Sequence, residues 1–446
     1  MIKPELNLFD ISLSIIIIII IYIISTRLVN KSNSNYSKIF KQFIIFKIAF
    51  AVFFSLIYLY YYEGGDTFLY FSGGNYLVDQ YLAYPSRIFE FLFNNGDEFK
   101  NLKYSNQQYL VSFFSGSDSL LTFKISSVFS LLCFKQFMAT TILLTMVASI
   151  GAWKLFTTLC NLYPALSKYF AAGVLFYPTI AIWSSGILKD TITFMCVGLI
   201  FTSFYYFERR KNIIISLFIS SISIYFCLIL KPYILYLFIP CMLFWINNRI
   251  RGNIKNIFVK AFVGLFLIII FSAAGFLIVQ SISQGAGKYS LDSITDVAKG
   301  FQSWHTYLSE TRNQSGYSLG EFEFTTQGII QKIPAAIIVT FFRPFLFSDV
   351  TNFSLAFEGI QSFLLLLLTA YVFLKVGIIR FFKIIIFNKD VSAFVLFALL
   401  FGITVGLTSY NFGALSRYKI PALPFYTASL AIIYYLGYLK PKELLN

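Results

Sequence analysis

The sequence predicts an all-α fold, a polytopic bundle of transmembrane helices, on three observations. Hydrophobic residues make up 58% of the 446-residue chain and charged residues only 12%, about half of what a soluble domain uses to keep its surface wet. Apolar runs of the roughly 17–25 residues needed to cross a hydrocarbon core recur along the chain. Basic residues gather in alternate connections between those runs, the pattern of the positive-inside rule.

Taken in order, the clear apolar runs fall at 9–26, 43–61, 136–158, 257–281, 354–375, 391–409 and 421–438. Between 168 and 247 the apolar character is nearly continuous, and the polar breaks SSGILKD, ERRKN and LKPY divide it into shorter crossings. The expected total is about eleven. The first run follows the acidic residues Glu5 and Asp10 and lacks the basic n-region and cleavage site of a signal peptide, so a retained helix is expected.

Five basic segments are expected to be cytoplasmic: Arg27 to Lys41, Arg209 to Lys211, Arg249 to Lys255, Arg380 to Lys389, and Lys440 with Lys442. That alternation places the N-terminus outside and the C-terminus inside, in a single integral membrane domain over 1–446. Two long loops, 62–135 and 282–353, fall on the extracytoplasmic side. Each mixes aromatic and apolar residues with polar ones, as in YLAYPSRIFEFLF and IIQKIPAAIIVTFFRPFLF, so surface helices are expected there rather than disorder.

Composition also excludes function classes. The net charge of +15 is scattered between apolar helices rather than concentrated on one face, which argues for membrane lipid and against nucleic acid as the partner. Cys133, Cys160, Cys196, Cys227 and Cys241 stand alone in or near apolar runs, and the chain has one histidine, so neither a disulfide framework nor a zinc site is indicated. That histidine, His305 beside Trp304, reads as incidental rather than as a general acid or base.

The residues that could carry chemistry are the charged ones in the predicted outer connections. YYYEGGDTFLYFSGGNY puts Glu63 and Asp66 just beyond a helix end, with glycines that let a ligand approach and with Tyr70 and Tyr76 as flat faces for a sugar or headgroup. The plain alternative is a helix-ending turn with a solvated acid. YPTIAIWSSGILKDTITF interrupts an apolar region with Lys189 and Asp190, suited to a phosphate and its orientation, or simply to helix capping and snorkelling. Lys231, in ILKPYIL, carries the same two readings.

Arg343 lies among phenylalanines ahead of Asp349 and Glu358, so it either takes a phosphate bidentately or locks onto one of those acids. GLTSYNFGALSRYKIPALPF brings Arg417, Tyr418 and Lys419 to a short outer loop, against the positive-inside rule, which an anionic ligand or lipid phosphates would explain. Carboxylates and cations gathered on one face suit sugar transfer from a lipid phosphate, in which an acid activates the acceptor and cations stabilise the leaving phosphate.

An acidic motif in the first large outer loop, short hairpins with polar tips and a late basic outer loop together resemble the GT-C class of membrane glycosyltransferases. PTIAIWSSGILKDTI, FFRPFLF and SRYKIPALPF are also similar to stretches of bacterial polysaccharide and O-antigen assembly proteins, polymerases included. The GT-C resemblance implies a polyprenyl-phosphate-linked sugar donor, inverting transfer on the outer face of the membrane to a glycan or lipid acceptor, and an essential acid in the first outer loop, and the richness in Ile, Phe, Lys and Asn is compatible with a bacterial inner membrane. Here that acid is Asp66, as base or as ligand of a divalent metal. Two departures stand out: the motif follows the second predicted crossing, and GGD replaces two adjacent acids. A transporter or flippase for lipid-linked or anionic solutes is the competing class, and it would place ionisable groups near the midplane.

Overall fold

A computed structural model describes residues 3–32, 35–93, 110–114, 116–252, 316–320 and 326–440, with residues 300, 303 and 307. The expected crossing at 257–281 and His305 lie outside the described residues. Among the described residues the chain is helical and has no strand.

The helices in chain order are α1 (Leu8–Ser32), α2 (Ser37–Ile57), α3 (Asp66–Ala83), α4 (Ile88–Phe93), α5 (Ser117–Leu132), α6 (Phe137–Leu162), α7 (Pro178–Trp183) and α8 (Lys189–Glu208). They continue with α9 (Ile213–Leu230), α10 (Pro232–Gly252), α11 (Thr326–Phe342), α12 (Phe353–Val376), α13 (Ile378–Phe387), α14 (Lys389–Thr408), α15 (Phe412–Tyr418) and α16 (Leu423–Tyr434). Eight helical spans among them are long and apolar enough to cross a membrane, or nine if the pair Phe412–Tyr418 and Leu423–Leu439, bent by 66°, counts as one. The protein is an integral membrane protein built as a helical bundle.

One expected crossing takes a different form, and the one at 421–438 is a helix, Leu423–Leu439, with a bend just ahead of it. Residues 167–183 are not one helix but a turn of α-helix at Ser167–Phe170, a π-helical turn at Ala171–Leu175 and the short α7. Pro178 cannot donate to the preceding turn, which stops the helix there. At 421–438, the chain bends between α15 and α16 across Lys419 to Ala422, just ahead of Pro424.

The described chain forms two compact units. The first comprises Met1–Lys154, Ile180–Leu199 and Ser221–Lys231, and the second Leu155–Thr179, Ile200–Ser220 and Pro232–Asn446.

In the first unit, α2 lays Ile44, Ile48 and Ala51 against Met138, Ile142 and Met146 of α6, with Ile17, Ile18 and Ile21 of α1 packed onto that cluster. Asp10 is fully buried, and its carboxylate accepts from the backbone N–H groups of Met138 and Ala139, each at 2.9 Å. These are first-turn donors of α6 with no partner inside the helix, so the acid of α1 caps a helix far away in sequence. Gly65 has φ +106°, a conformation other residues rarely adopt, and it turns the chain from α2 into α3.

Helices α3 and α5 lie side by side at close range. A Cβ on Gly74 would stand 2.8 Å from Cβ of Ser126 and 3.0 Å from the backbone nitrogen of Ser127, so glycine and serine let the two backbones approach. The Tyr81 hydroxyl meets Ser127 Oγ at 3.0 Å, and the Lys135 ammonium donates to Asp79 at 2.6 Å.

The second unit is centred on rings. Phe201, Phe394, Phe397 and Phe425 pack edge to face, with Phe238 and Trp245 against them. One end of this unit is tied by Asp390, whose Oδ1 accepts from Trp245 Nε1 at 2.7 Å and Arg249 Nη1 at 2.8 Å, and whose Oδ2 accepts from the Tyr163 hydroxyl at 2.8 Å. Arg249 also faces Glu208 at 3.4 Å, which gathers the ends of α8 and α10 and the start of α14.

Candidate functional site

Asp66 opens α3, half-buried, and its position in the first turn suits a carboxylate because the exposed N–H groups there favour negative charge. Tyr70 follows one turn later on the same face and is buried. Above its ring, 5.4 Å from the centroid, stands the ammonium of Lys189 at the start of α8. The same ammonium donates to Asp118 Oδ2 at 2.8 Å and to Ser119 Oγ at 3.2 Å, both in the first turn of α5. The N-termini of α5 and α8 thus bring Asp118 and Lys189 together over Tyr70, and Asp66 lies one helical turn before Tyr70 on α3.

The next residue, Asp190, accepts from the Lys231 ammonium at 2.6 Å, and only 3% and 9% of the two side chains are exposed. The acid sits at the start of α8 and the cation just past the end of α9, each at the helix terminus whose partial charge it complements. The pair holds the first turn of α8 in place, and so fixes where Lys189 points.

Glu63 stands apart. It pairs with Lys3 at 2.6 Å, remains 61% exposed, and lies in the left-handed conformation that closes the helix before the glycine turn. Beside α3, a polar cleft of about 400 Å³ is lined by Lys3, Glu5, Asn75, Tyr76, Asp79 and Lys135.

No family model, curated protein or solved structure matches the chain. The functional reading therefore rests on geometry and on the residues themselves.

Lys47 is a buried cation, supporting the segment before Lys189, that the sequence reading passed over. Midway along α2 and 2% exposed, it donates to the backbone oxygens of Ala181 (3.1 Å) and Ser184 (2.9 Å) and to the hydroxyls of Ser184 and Ser185 (2.7 Å each). A cation there satisfies the free carbonyls at the end of α7 and secures the SSG break that leads into Lys189. Its signal was available: a lysine inside an apolar run is a functional candidate by default. Asp118 was missed because it lies in a loop read for its aromatics, although an acid beside serines ahead of an apolar run is a helix-start pattern.

In the second unit, Arg343 holds Asp349 through two 2.7 Å hydrogen bonds and lies 5.3 Å from the Phe412 ring centroid. Of the two acids expected to compete for it, Asp349 has it, and Glu358 pairs instead with Lys419 at 3.4 Å. Lys419 is buried at 2% exposure, so it is an interior cation rather than a surface one. Glu358 also accepts from the Thr179 hydroxyl at 3.0 Å. Arg417 and Tyr418 lie at the end of α15, both half-buried.

Burial alone would raise the Asp349 carboxyl, but hydrogen bonds from Arg343 and the Phe345 N–H outweigh it and hold the group below its ordinary 3.8. A lowered folded-state pKa stabilises above the unfolded value and loses that effect as pH falls through the folded one. Parent and Asp349→Asn protein are therefore expected to differ in unfolding midpoint at neutral pH and to converge only below pH 3.8, which a pH series of thermal melts in detergent reads directly.

Among the described residues, no three of His, Cys, Asp and Glu form a group that could hold a metal ion. The described cysteines are free thiols, all buried.

Proposed function

We propose that the protein is a membrane glycosyltransferase that moves a sugar from a polyprenyl-phosphate-linked donor to a glycan or lipid acceptor. On this reading the site faces the exterior of a bacterial cytoplasmic membrane, with the N-terminus outside and the C-terminus inside. The observation that carries the proposal is the placing of Lys189 over Tyr70, a residue that follows Asp66 by one helical turn along α3.

In the proposed reaction, Asp66 accepts the proton of an acceptor hydroxyl as that oxygen bonds to the anomeric carbon. The bond from that carbon to the donor phosphate oxygen breaks, and the electron pair leaves with the lipid phosphate. Lys189 stabilises the leaving charge, aided by the N-terminal N–H groups of α3, α5 and α8. Asp118 orients Lys189 through the 2.8 Å hydrogen bond, and the buried Tyr70 ring supports the ammonium from below. The neighbouring cleft supplies amide, hydroxyl, ammonium and carboxylate groups of the kind that bind sugar hydroxyls. A polysaccharide polymerase would run the same displacement with a growing chain as one substrate.

A transporter or flippase would use an ionisable group midway through the membrane, and Lys47 is such a residue. Its enclosure by four hydrogen bonds favours a structural role and hence the transferase.

Asp66→Asn keeps the size of the side chain and removes the base, so glycan product in membranes carrying the variant is expected to fall about 100-fold or more. Unchanged product at normal expression would remove Asp66 from the mechanism.

A further inference from the structure

The second unit contains a groove of about 530 Å³ between α12, α16 and the broken run 169–178. Its lining is largely leucine, alanine and aromatic rings. Along α12 it extends from Gln361 to Val372, roughly 16 Å at about 1.5 Å per residue. That is close to half of the ~30 Å hydrocarbon thickness, the depth of a single leaflet.

The two ends differ in chemistry. At one, Gln361 Oε1 is occupied by the backbone N–H and the hydroxyl of Thr179, both at 2.8 Å, and the nearby Glu358 and Lys419 neutralise each other. At the other, the hydroxyls of Tyr371 and Tyr434 stand 3.4 Å apart. One turn further along α12, the Lys375 ammonium lies 5.9 Å from the Tyr371 ring centroid and 5.7 Å from that of Tyr438. Among the described residues, no carboxylate pairs with Lys375. The groove is thus an apolar slot one leaflet deep, with a cation that meets no described carboxylate at the Tyr371 mouth and a charge-balanced pair near the other.

We propose that this groove holds one acyl chain of an anionic phospholipid, whose phosphate is met by Lys375 with the Tyr371 and Tyr434 hydroxyls. An apolar space of this size left empty would forfeit the dispersion contacts of its walls, and a hydrocarbon chain restores them. The cation at the tyrosine mouth selects a negative headgroup over a zwitterionic one. A polyprenyl phosphate entering from the Gln361 end would find, among the described lining residues, no positive charge that a carboxylate does not balance, so the occupant is a lipid of the leaflet on the Lys375 side. The inference stands apart from the transferase reading and does not need it.

The test is native mass spectrometry of the full-length protein equilibrated in mixed micelles of phosphatidylglycerol and phosphatidylethanolamine in equal amounts. The parent is expected to retain one phosphatidylglycerol per chain. Lys375→Ala, at an exposed position, should cut the preference for phosphatidylglycerol about 5-fold. Ala431→Trp fills the slot and should lose most of the retained lipid, and Leu368→Trp, on the exposed rim, repeats that test should the first variant fail to fold. No retained lipid in the parent, equal retention in the correctly folded tryptophan variant, an unchanged preference in Lys375→Ala, or a polyprenyl phosphate as the species carried from the native membrane would each overturn the proposal.

Discussion

Replacing Asp390 with alanine is expected to destabilise the protein by about 3–5 kcal/mol, the range for removing one partner of a buried ion pair. The carboxylate has 9% exposure and serves three donors at once: Trp245, Arg249 and Tyr163. Without it, the indole and phenol lose their buried acceptor, and each unmet group costs about 1–3 kcal/mol. Glu208 at 3.4 Å balances part of the Arg249 charge, which keeps the loss from exceeding that range. Asp390→Asn retains an acceptor oxygen and should fall between parent and alanine. Thermal unfolding midpoints of detergent-solubilised protein, read by size exclusion after heating, give the order. An alanine variant that melts with the parent would show that α8, α10 and α14 are held by their rings alone.

The second large effect is expected at Lys231. Changing it to methionine keeps the aliphatic stem and leaves Asp190 buried without its cation, at a cost again of about 3–5 kcal/mol. Combining Lys231→Met with Asp190→Asn removes both charges, and most of the lost stability should return, because the desolvation penalty of the pair disappears together with its attraction. The unfolding midpoints of the two single variants and the double variant decide this. A double variant as unstable as Lys231→Met alone would mean that Lys231 does more than balance Asp190. Because the pair sets the first turn of α8, the stable double variant also tests positioning: product formation should remain reduced in it if Lys189 depends on that turn.

The parts of the fold legible in the sequence were those that depend on one stretch of chain at a time. The isoleucine run of α1 and the leucine run of α12 declare themselves by length and hydropathy, and both present exposed aliphatic side chains to their surroundings. The break at SSG was visible too, but its consequence was not. At that break Lys47 reaches the Ala181 and Ser184 carbonyls from a helix more than a hundred residues earlier in the chain. Counting apolar residues cannot show that a run is supported from the side rather than continuing as a helix.

For the candidate site, residue types were readable and pairings were not. Lys189, Asp190, Lys231, Arg343 and Lys419 each stood out as charges in apolar surroundings. Which acid each one meets followed from packing: Asp118 for Lys189, Asp190 for Lys231, Asp349 for Arg343 and Glu358 for Lys419. Only the Arg343 pair is close in sequence, and it was among the alternatives considered.

By itself the sequence determined that this protein dissolves in lipid, that it is helical, and that several of its charges, Lys189, Asp190, Lys231, Arg343 and Lys419 among them, are too costly to leave unpaired. Those are sums over local properties: apolar area per residue, and the penalty for charge away from water. Only the tertiary structure decided that Asp10 caps α6, that Lys47 braces the end of α7, and that Lys189 rests over Tyr70. Electrostatic and hydrogen-bonding partners are chosen by distance in space, and distance in space between remote segments is set by helix packing, which no single stretch of sequence contains.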